Sequence, residues 1–453
     1  MSSSVLTWGA DPGSTPHLAS ERLRALERSH HAMWNYLTYR DAIAIVGLDP
    51  ADLYPGGTTR LDPATWADLG WLTCFAGPPP HAVEAMRDAV TAEHLNQYSP
   101  DLVEPLRDAA AQILGRPRDD AFEVVGTEGA QAGIALSLMA VAGPGDEVIL
   151  SDPGYFHVPS AVIATGAVPV TVPIDASSGY RLDPDVVAAA ITPRTRAIVV
   201  VDPVNPYGTV QTAGELAALA RLADEHELLL IHDVTHAPLV IDPDVPFTSL
   251  PGLALTENAV ATFSVSHCFG MAGARIGFLA GPSRLMRSCL RLKAALTRLN
   301  TSLVAQHGAL AALEDPDYLP HAQRIVRRNL AHLNDTIAAV DGIELTASPV
   351  RGLSCALDTS GSGTTAQELM VALFARRVAV YPGDGMGSTG AATTLRLNLS
   401  RPDPWAMEHL RAMLPDAIAE AASGRWREQV ATLLDSKGTP RAIELAATVR
   451  DGP

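Results

Sequence analysis

Lysine is nearly missing from this chain. Among 453 residues only Lys293 and Lys437 carry an ammonium group, and arginine supplies the rest of the fixed positive charge. Any chemistry that needs a lysine amine therefore has two candidates. Cysteine is also scarce. Cys74, Cys268, Cys289 and Cys355 stand apart with no CxxC spacing, so neither a disulfide framework nor a zinc site is indicated. No apolar run approaches the ~20 residues that a membrane helix needs. The first residues, Met1 to Asp11, lack a basic stretch followed by an apolar one, so no signal peptide is expected. A cytoplasmic protein is the expectation. The formal charge of −17 argues against nucleic acid and anionic membranes as partners. With 47% hydrophobic and 18% charged residues the chain can bury a large core. Its length exceeds one ordinary core, so two or more domains are expected.

What is present is organised around residues 260–281. The apolar run Val260 to Phe263 reads as a buried strand. Ser264 and Ser266 follow, with His267 directly after. Gly270, Gly273 and Gly277 then break the chain into turns around Arg275. Short hydroxyl donors, a bidentate cation and close backbone approach suit an anionic group such as phosphate.

Taken in order, residues 1–17 read as a mobile arm and 18–40 as a helix with Leu23, Leu26 and Met33 on one face. A connector holds Pro50, Pro55, Gly56 and Gly57, and a second loop holds Gly77 and three prolines. A βαβ rhythm begins near residue 121. Phe122–Val125 reads as a strand. Gly129, Ala130 and Gln131 open an apolar helix whose free N–H groups could face a phosphate. The run Ala197–Val201 is wholly apolar, as a parallel sheet buried on both faces requires. The strand Leu228–Ile231 leads into His232, Asp233 and His236. His232 and His236 have HxxxH spacing, but they follow a strand and no third ligand is apparent, so no metal is expected. Residues 283–313 read as one long amphipathic helix. From Pro316 the pattern mixes helices and strands, as a smaller α+β domain would. There is no internal repeat, and the tail from Arg425 is weakly helical.

Ser264-Val-Ser-His-Cys-Phe-Gly-Met-Ala-Gly-Ala-Arg-Ile-Gly277 resembles the catalytic stretch of the class I/II aminotransferases, the fold type I pyridoxal-phosphate enzymes. Other stretches resemble the same family in the same order: Asn96 to Pro100, Gly129 to Gln131, Asp152 to Tyr155, Asn205 to Gly208, Asp233, and the strand bearing Arg396. The resemblance covers roughly residues 75–420. It implies an α/β fold with a mostly parallel seven-stranded sheet flanked by helices, plus a smaller α+β domain. It implies an N-terminal arm and part of the small domain over 1–74, a cofactor-binding domain over 75–313, the small domain over 314–424 and a tail over 425–453. By the same resemblance, Gly129, Ala130, Gln131, Ser264, Ser266 and Arg275 would hold the cofactor phosphate. Tyr155 would stack on the pyridine ring, Asn205 would donate to its 3-hydroxyl oxygen, and Asp233 would pair with its ring nitrogen. Tyr98 would reach the phosphate in a second subunit of a homodimer. Arg396, with Gly77, would take the substrate carboxylate through a bidentate fork.

The sequence departs from that family at its centre. The family joins a lysine covalently to the cofactor aldehyde, and His267 stands at that position. Glu128 in the phosphate turn and His236 depart from the pattern as well, which reads as divergence rather than one designed change. An imidazole cannot make the covalent link, but its ordinary pKa of about 6.5 suits proton transfer near neutrality. The expectation is an enzyme that binds pyridoxal or pyridoxamine phosphate non-covalently, with His267, His236 and Asp233 as its catalytic groups and a small carboxylate substrate. The alternatives are a cofactor-independent lyase or cyclase in the same pocket, and a non-catalytic ligand-binding relative.

Overall fold

The computed structural model describes residues 20–29, 36–54, 60–242, 247–255 and 257–452. The arm expected over 1–17, Met33, and the connector residues Pro55, Gly56 and Gly57 lie outside the described residues. The chain divides into two compact units. One comprises the chain up to Leu72, Arg328–Ser348 and the stretch from Ser354 onward; the other comprises Thr73–Arg327 and Pro349–Leu353. The division falls inside the continuous helix Tyr318–Ile337, a break that no change of composition marks. The residues from 425 belong to the first unit.

Thirteen strands occur among the described residues. β1 is Ala67–Asp68, β2 Phe122–Thr127, β3 Glu147–Asp152, β4 Val168–Pro173, β5 Thr195–Val201, β6 Leu229–Asp233, β7 Ala259–Ser264 and β8 Gly277–Pro282. β9 is Glu344–Leu345, β10 Ser354–Asp358, β11 Val378–Ala379, β12 Tyr381–Pro382 and β13 Thr394–Asn398.

The second unit holds a seven-stranded sheet in the order β2-β8-β7-β6-β5-β3-β4. Only β8 runs against its neighbours; β4, β3, β5, β6 and β7 are parallel. Alternate residues of each strand pack on opposite faces, as the period of two dictates. Val148, Leu150, Val199, Ile231, Val260 and Leu279 join one core with Ile134 and Leu138 of the helix Ala130–Val141. Ile149, Ile198, Val200, Leu230 and Ala259 join the other with Leu216 and Leu219 of the helix Ala213–Glu225. Each fully buried Val, Leu or Ile stabilises the fold by roughly 1.5–3 kcal/mol. Burial on both faces is why these strands are apolar throughout.

The stretch 283–313 forms two helices rather than one, Ser283–Thr297 and Leu303–Leu313. The break is at Arg298, whose φ of 66° cannot continue a helix. Likewise 18–40 is not continuous. Helix Glu21–Arg28 ends at Ser29, and Tyr39–Val46 starts anew behind a Thr38–Asp41 capping box.

The first unit carries the antiparallel sheet β12-β13-β10-β9 and the parallel pair β1–β11. Its tail folds as the helices Arg427–Ser436 and Pro440–Asp451. Lys437 Nζ binds Asp41 Oδ2 at 2.9 Å, and Arg427 Nε binds the buried Glu368 at 3.0 Å.

Candidate active site

The carboxyl ends of the parallel strands converge on one edge of the large sheet, where open α/β sheets bind ligands. The register does most of the placing. Gly277 of β8 is the cross-strand partner of Thr127 on one side and Ser264 on the other. The turn after Thr127, the hydroxyl of Ser264 and the loop carrying Arg275 are therefore held side by side. Gly129 has φ of 92° and a Cβ there would lie 2.7 Å from Arg275 Nη2, so only glycine fits. It opens the helix Ala130–Val141, whose N-terminus no side chain caps. Uncapped N–H groups and the positive helix end face the same place. Arg275 is exposed; its Nη2 donates to the Glu128 carbonyl at 2.7 Å and its Nη1 to the Ala272 carbonyl at 3.1 Å. Gln131 turns aside. Its Nε2 donates to the His157 carbonyl at 2.9 Å, tying two helices together.

Ser264 accepts from the Ser266 N–H at 3.4 Å and so caps the short helix Val265–Cys268, which presents Ser266 and His267. His267 is half-buried and lies against His236, with ring centroids 4.9 Å apart and planes at 90°. A strap from Cys74 to Gly77 crosses this helix. Cys74 N donates to the His267 carbonyl at 2.9 Å. Tyr318 stacks on Phe269 at 5.8 Å and donates its hydroxyl to the Gly77 carbonyl at 2.5 Å.

Asp233 ends β6 and is buried. Thr235 donates both its N–H, at 3.1 Å, and its hydroxyl to Asp233 Oδ1; Oδ2 takes no hydrogen bond among the described residues. Burial pushes the Asp233 carboxyl above the usual carboxylate range, opposed by the Thr235 bonds and by His232. Asn205 is buried in the turn after β5, and Tyr155 is half-buried beside Phe156 and His157 after β3. Tyr98 is elsewhere on the surface, 73% exposed, with the Arg298 guanidinium 4.4 Å from its ring centroid.

Arg396 belongs to the first unit. It is a buried residue of β13 whose Nη2 donates to the Gly70 carbonyl at 2.7 Å. Three participants escaped the sequence reading. Thr235 was signalled by its spacing, since a hydroxyl two residues after an aspartate often bonds to it. Tyr318 had no local signal. Asp202 had none either: its Oδ2 lies 3.2 Å from His232 Nε2, and His232 Nδ1 accepts from the Leu250 N–H at 3.3 Å. Nε2 therefore carries the ring proton, and His232 is a structural histidine. Among the described residues no three side chains are grouped to hold a metal ion.

Residues 72–414 match the family described as aminotransferase class I and II. This chain belongs to that family. It is 30% identical over 320 residues to a probable aspartate/prephenate aminotransferase of Thermus aquaticus, covering 69% of this chain and 82% of the relative. It is 37% identical over 216 residues to a probable N-succinyldiaminopimelate aminotransferase of Mycobacterium tuberculosis, covering 46% of this chain. The chain spans about half of that relative, 54% of its length. A Thermus thermophilus aspartate aminotransferase structure superposes with a TM-score of 0.73 at 27% identity, covering 89% of this chain and 99% of that one. The fold is thus the fold type I aminotransferase α/β fold, and members of this family use pyridoxal phosphate. No helix among the described residues is long and apolar enough to cross a membrane.

Proposed function

We propose that this aminotransferase-family chain is an enzyme that holds pyridoxal or pyridoxamine phosphate without a covalent tether and uses His267 as general acid and base. His267 takes the position of the family's cofactor-linking lysine. The observation that carries this is the strand pairing that sets Thr127 and Ser264 on either side of Gly277, with His267 three residues after Ser264, in a chain whose two lysines are engaged elsewhere. Lys293 Nζ is buried 2.6 Å from Asp101 Oδ1, and Lys437 binds Asp41.

The residues suit the group. Gly129, Ala130 and Gln131 offer backbone donors to a phosphate, and Ser264, Ser266 and Arg275 offer side-chain ones. Asp233, with one oxygen fixed by Thr235 and the other taking no hydrogen bond among the described residues, suits a protonated ring nitrogen. Tyr155 gives a ring for stacking and Asn205 a donor for a phenolic oxygen. When bound, the cofactor supplies a sink for negative charge at the substrate α-carbon. A His267 ring nitrogen takes and returns the proton at that carbon, and the perpendicular His236 fixes the orientation of the imidazole. Arg396 holds the substrate carboxylate.

The acting form is a cytoplasmic homodimer. Leu95 and Tyr98 are exposed, and so are Leu296 and Leu299 flanking Arg298; a second copy covering them would bring Tyr98 to its cofactor. One observation favours a second reading, a cofactor-independent lyase or cyclase: the Arg275 guanidinium already donates to two backbone carbonyls. Calorimetric titration of the purified chain with pyridoxamine phosphate decides between them. Saturable one-to-one binding is expected. The absence of heat at millimolar cofactor, with turnover persisting in its absence, overturns the leading reading for the second.

A further inference from the structure

The segment 68–71 in the first unit is held with unusual completeness. Asp68 Oδ1 accepts from the Tyr39 hydroxyl at 2.8 Å and from the N–H groups of Gly70 and Trp71, each at 3.2 Å. Leu69 donates to the Ala379 carbonyl at 2.8 Å. Asn398 Nδ2 donates to the Trp71 carbonyl at 2.7 Å. A Cβ on Gly70 would lie 2.2 Å from the Tyr39 hydroxyl, so the backbone is pressed flat on its neighbours. Both backbone polar groups of Trp71 are thus fixed.

Yet Trp71 is 48% exposed, its ring 6.4 Å from the Tyr39 ring between centroids. A ring that stays in water on a fixed backbone adds little to folding, because the hydrophobic gain comes from area removed from water. It does provide an apolar face on a backbone already ordered, so that binding there orders little more than the side chain. Its neighbour in the chain is the Gly70 carbonyl that Arg396 grips. The surroundings of that guanidinium are soft and aromatic as well. The Tyr381 ring centroid lies 5.1 Å from Arg396 Cζ, and Met386 Sδ lies 4.0 Å from Nη1.

We propose that the Trp71 indole is a stacking platform for the side chain of the substrate whose carboxylate Arg396 holds, so that the site selects carboxylates bearing an aromatic or flat apolar group. This rests on Arg396 as the carboxylate anchor. Trp71 lies just before the span 72–414 that the family description matches, so the family pattern does not supply it.

The test is ligand-detected NMR titration of the full chain with 3-phenylpropionate and with pentanoate, an aliphatic acid. The wild type is expected to prefer the aromatic acid by about tenfold, the scale of one aromatic contact. Trp71→Ala should erase that preference while leaving pentanoate affinity unchanged, and Trp71→Phe should restore most of it. Arg396→Gln should weaken both acids alike. A preference unchanged in Trp71→Ala overturns the platform, and more so if sedimentation shows that variant dissociating, since the indole would then belong to a subunit contact. If Trp71→Ala erases the preference but Arg396→Gln changes neither affinity, the anchor assignment fails and the platform stands.

Discussion

The imidazoles of His236 and His267 stand perpendicular at 4.9 Å between centroids. Two histidines thus meet at the end of the sheet, from different segments: His236 just past β6, and His267 on the helix that follows β7. Their contact couples the residue proposed for proton transfer to a second ring that limits its rotation. Replacing His267 tests whether binding and chemistry separate.

His267→Ala is expected to keep pyridoxamine phosphate affinity within a few-fold and to lose turnover by about 10²–10⁴, the range of a general acid–base group. His267→Lys with added pyridoxal phosphate should gain a visible absorbance band that borohydride bleaches while fixing the cofactor to the protein. Absorbance titration of both variants is the measurement, and a lysine variant that stays colourless in saturating cofactor would falsify the placement of position 267.

Gly129→Ala should lose cofactor affinity by tenfold or more. Its φ of 92° is a conformation other residues rarely adopt, and the added methyl would press on Arg275 Nη2. The same calorimetric titration checks it. Unaltered affinity would place the phosphate elsewhere.

Lys293→Met tests a buried ion pair outside the site. Lys293 Nζ donates to Asp101 Oδ1 at 2.6 Å, and to the Gly126 carbonyl and the Thr301 hydroxyl, both at 2.8 Å. Removing it strands three acceptors beneath β2. A loss of about 3 kcal/mol or more is expected, read as a lower unfolding midpoint.

Asp384→Asn should stabilise the protein above neutrality. Burial pushes the Asp384 carboxyl up to about 6 from an ordinary 3.8, against the pull of the Gln367 amide, the Leu37 backbone, Arg441 and Lys437. The folded state therefore binds this proton more tightly than the unfolded chain does. Its contribution to stability falls as pH rises from about 4 to 6 and stays low above that. At 1.36 kcal/mol per pKa unit, the asparagine gains at most roughly 3 kcal/mol near pH 8 and nothing below pH 4. Unfolding midpoints across that range measure it; parallel curves for the two proteins would contradict the shift.

Much of the large sheet could be read directly from the chain. Runs such as Ala197–Val201 are apolar because both faces are buried, and each ends in a turn that carries polar residues. β4 was missed because it is an edge strand: Val168 is 49% exposed and Pro169 and Pro173 punctuate it. The second N-terminal helix did leave a mark, Thr38 followed by Asp41. Through-space partners left none. Asp202 and His232 are 30 residues apart, and Asp101 and Lys293 are 192 apart. Periodicity speaks of which face a residue occupies, never of what waits across it. The same holds for Trp71, whose exposure depends on how Asp68 and Asn398 pin its backbone.

The ladder that sets Thr127 and Ser264 on either side of Gly277 is made of main-chain bonds alone. It is indifferent to the side chain borne at 267. The proposed grasp and the proposed reactivity are consequently separable in this chain: a change at 267 leaves the ladder in place, and new chemistry can be tried at that one position without rebuilding the seat beneath it.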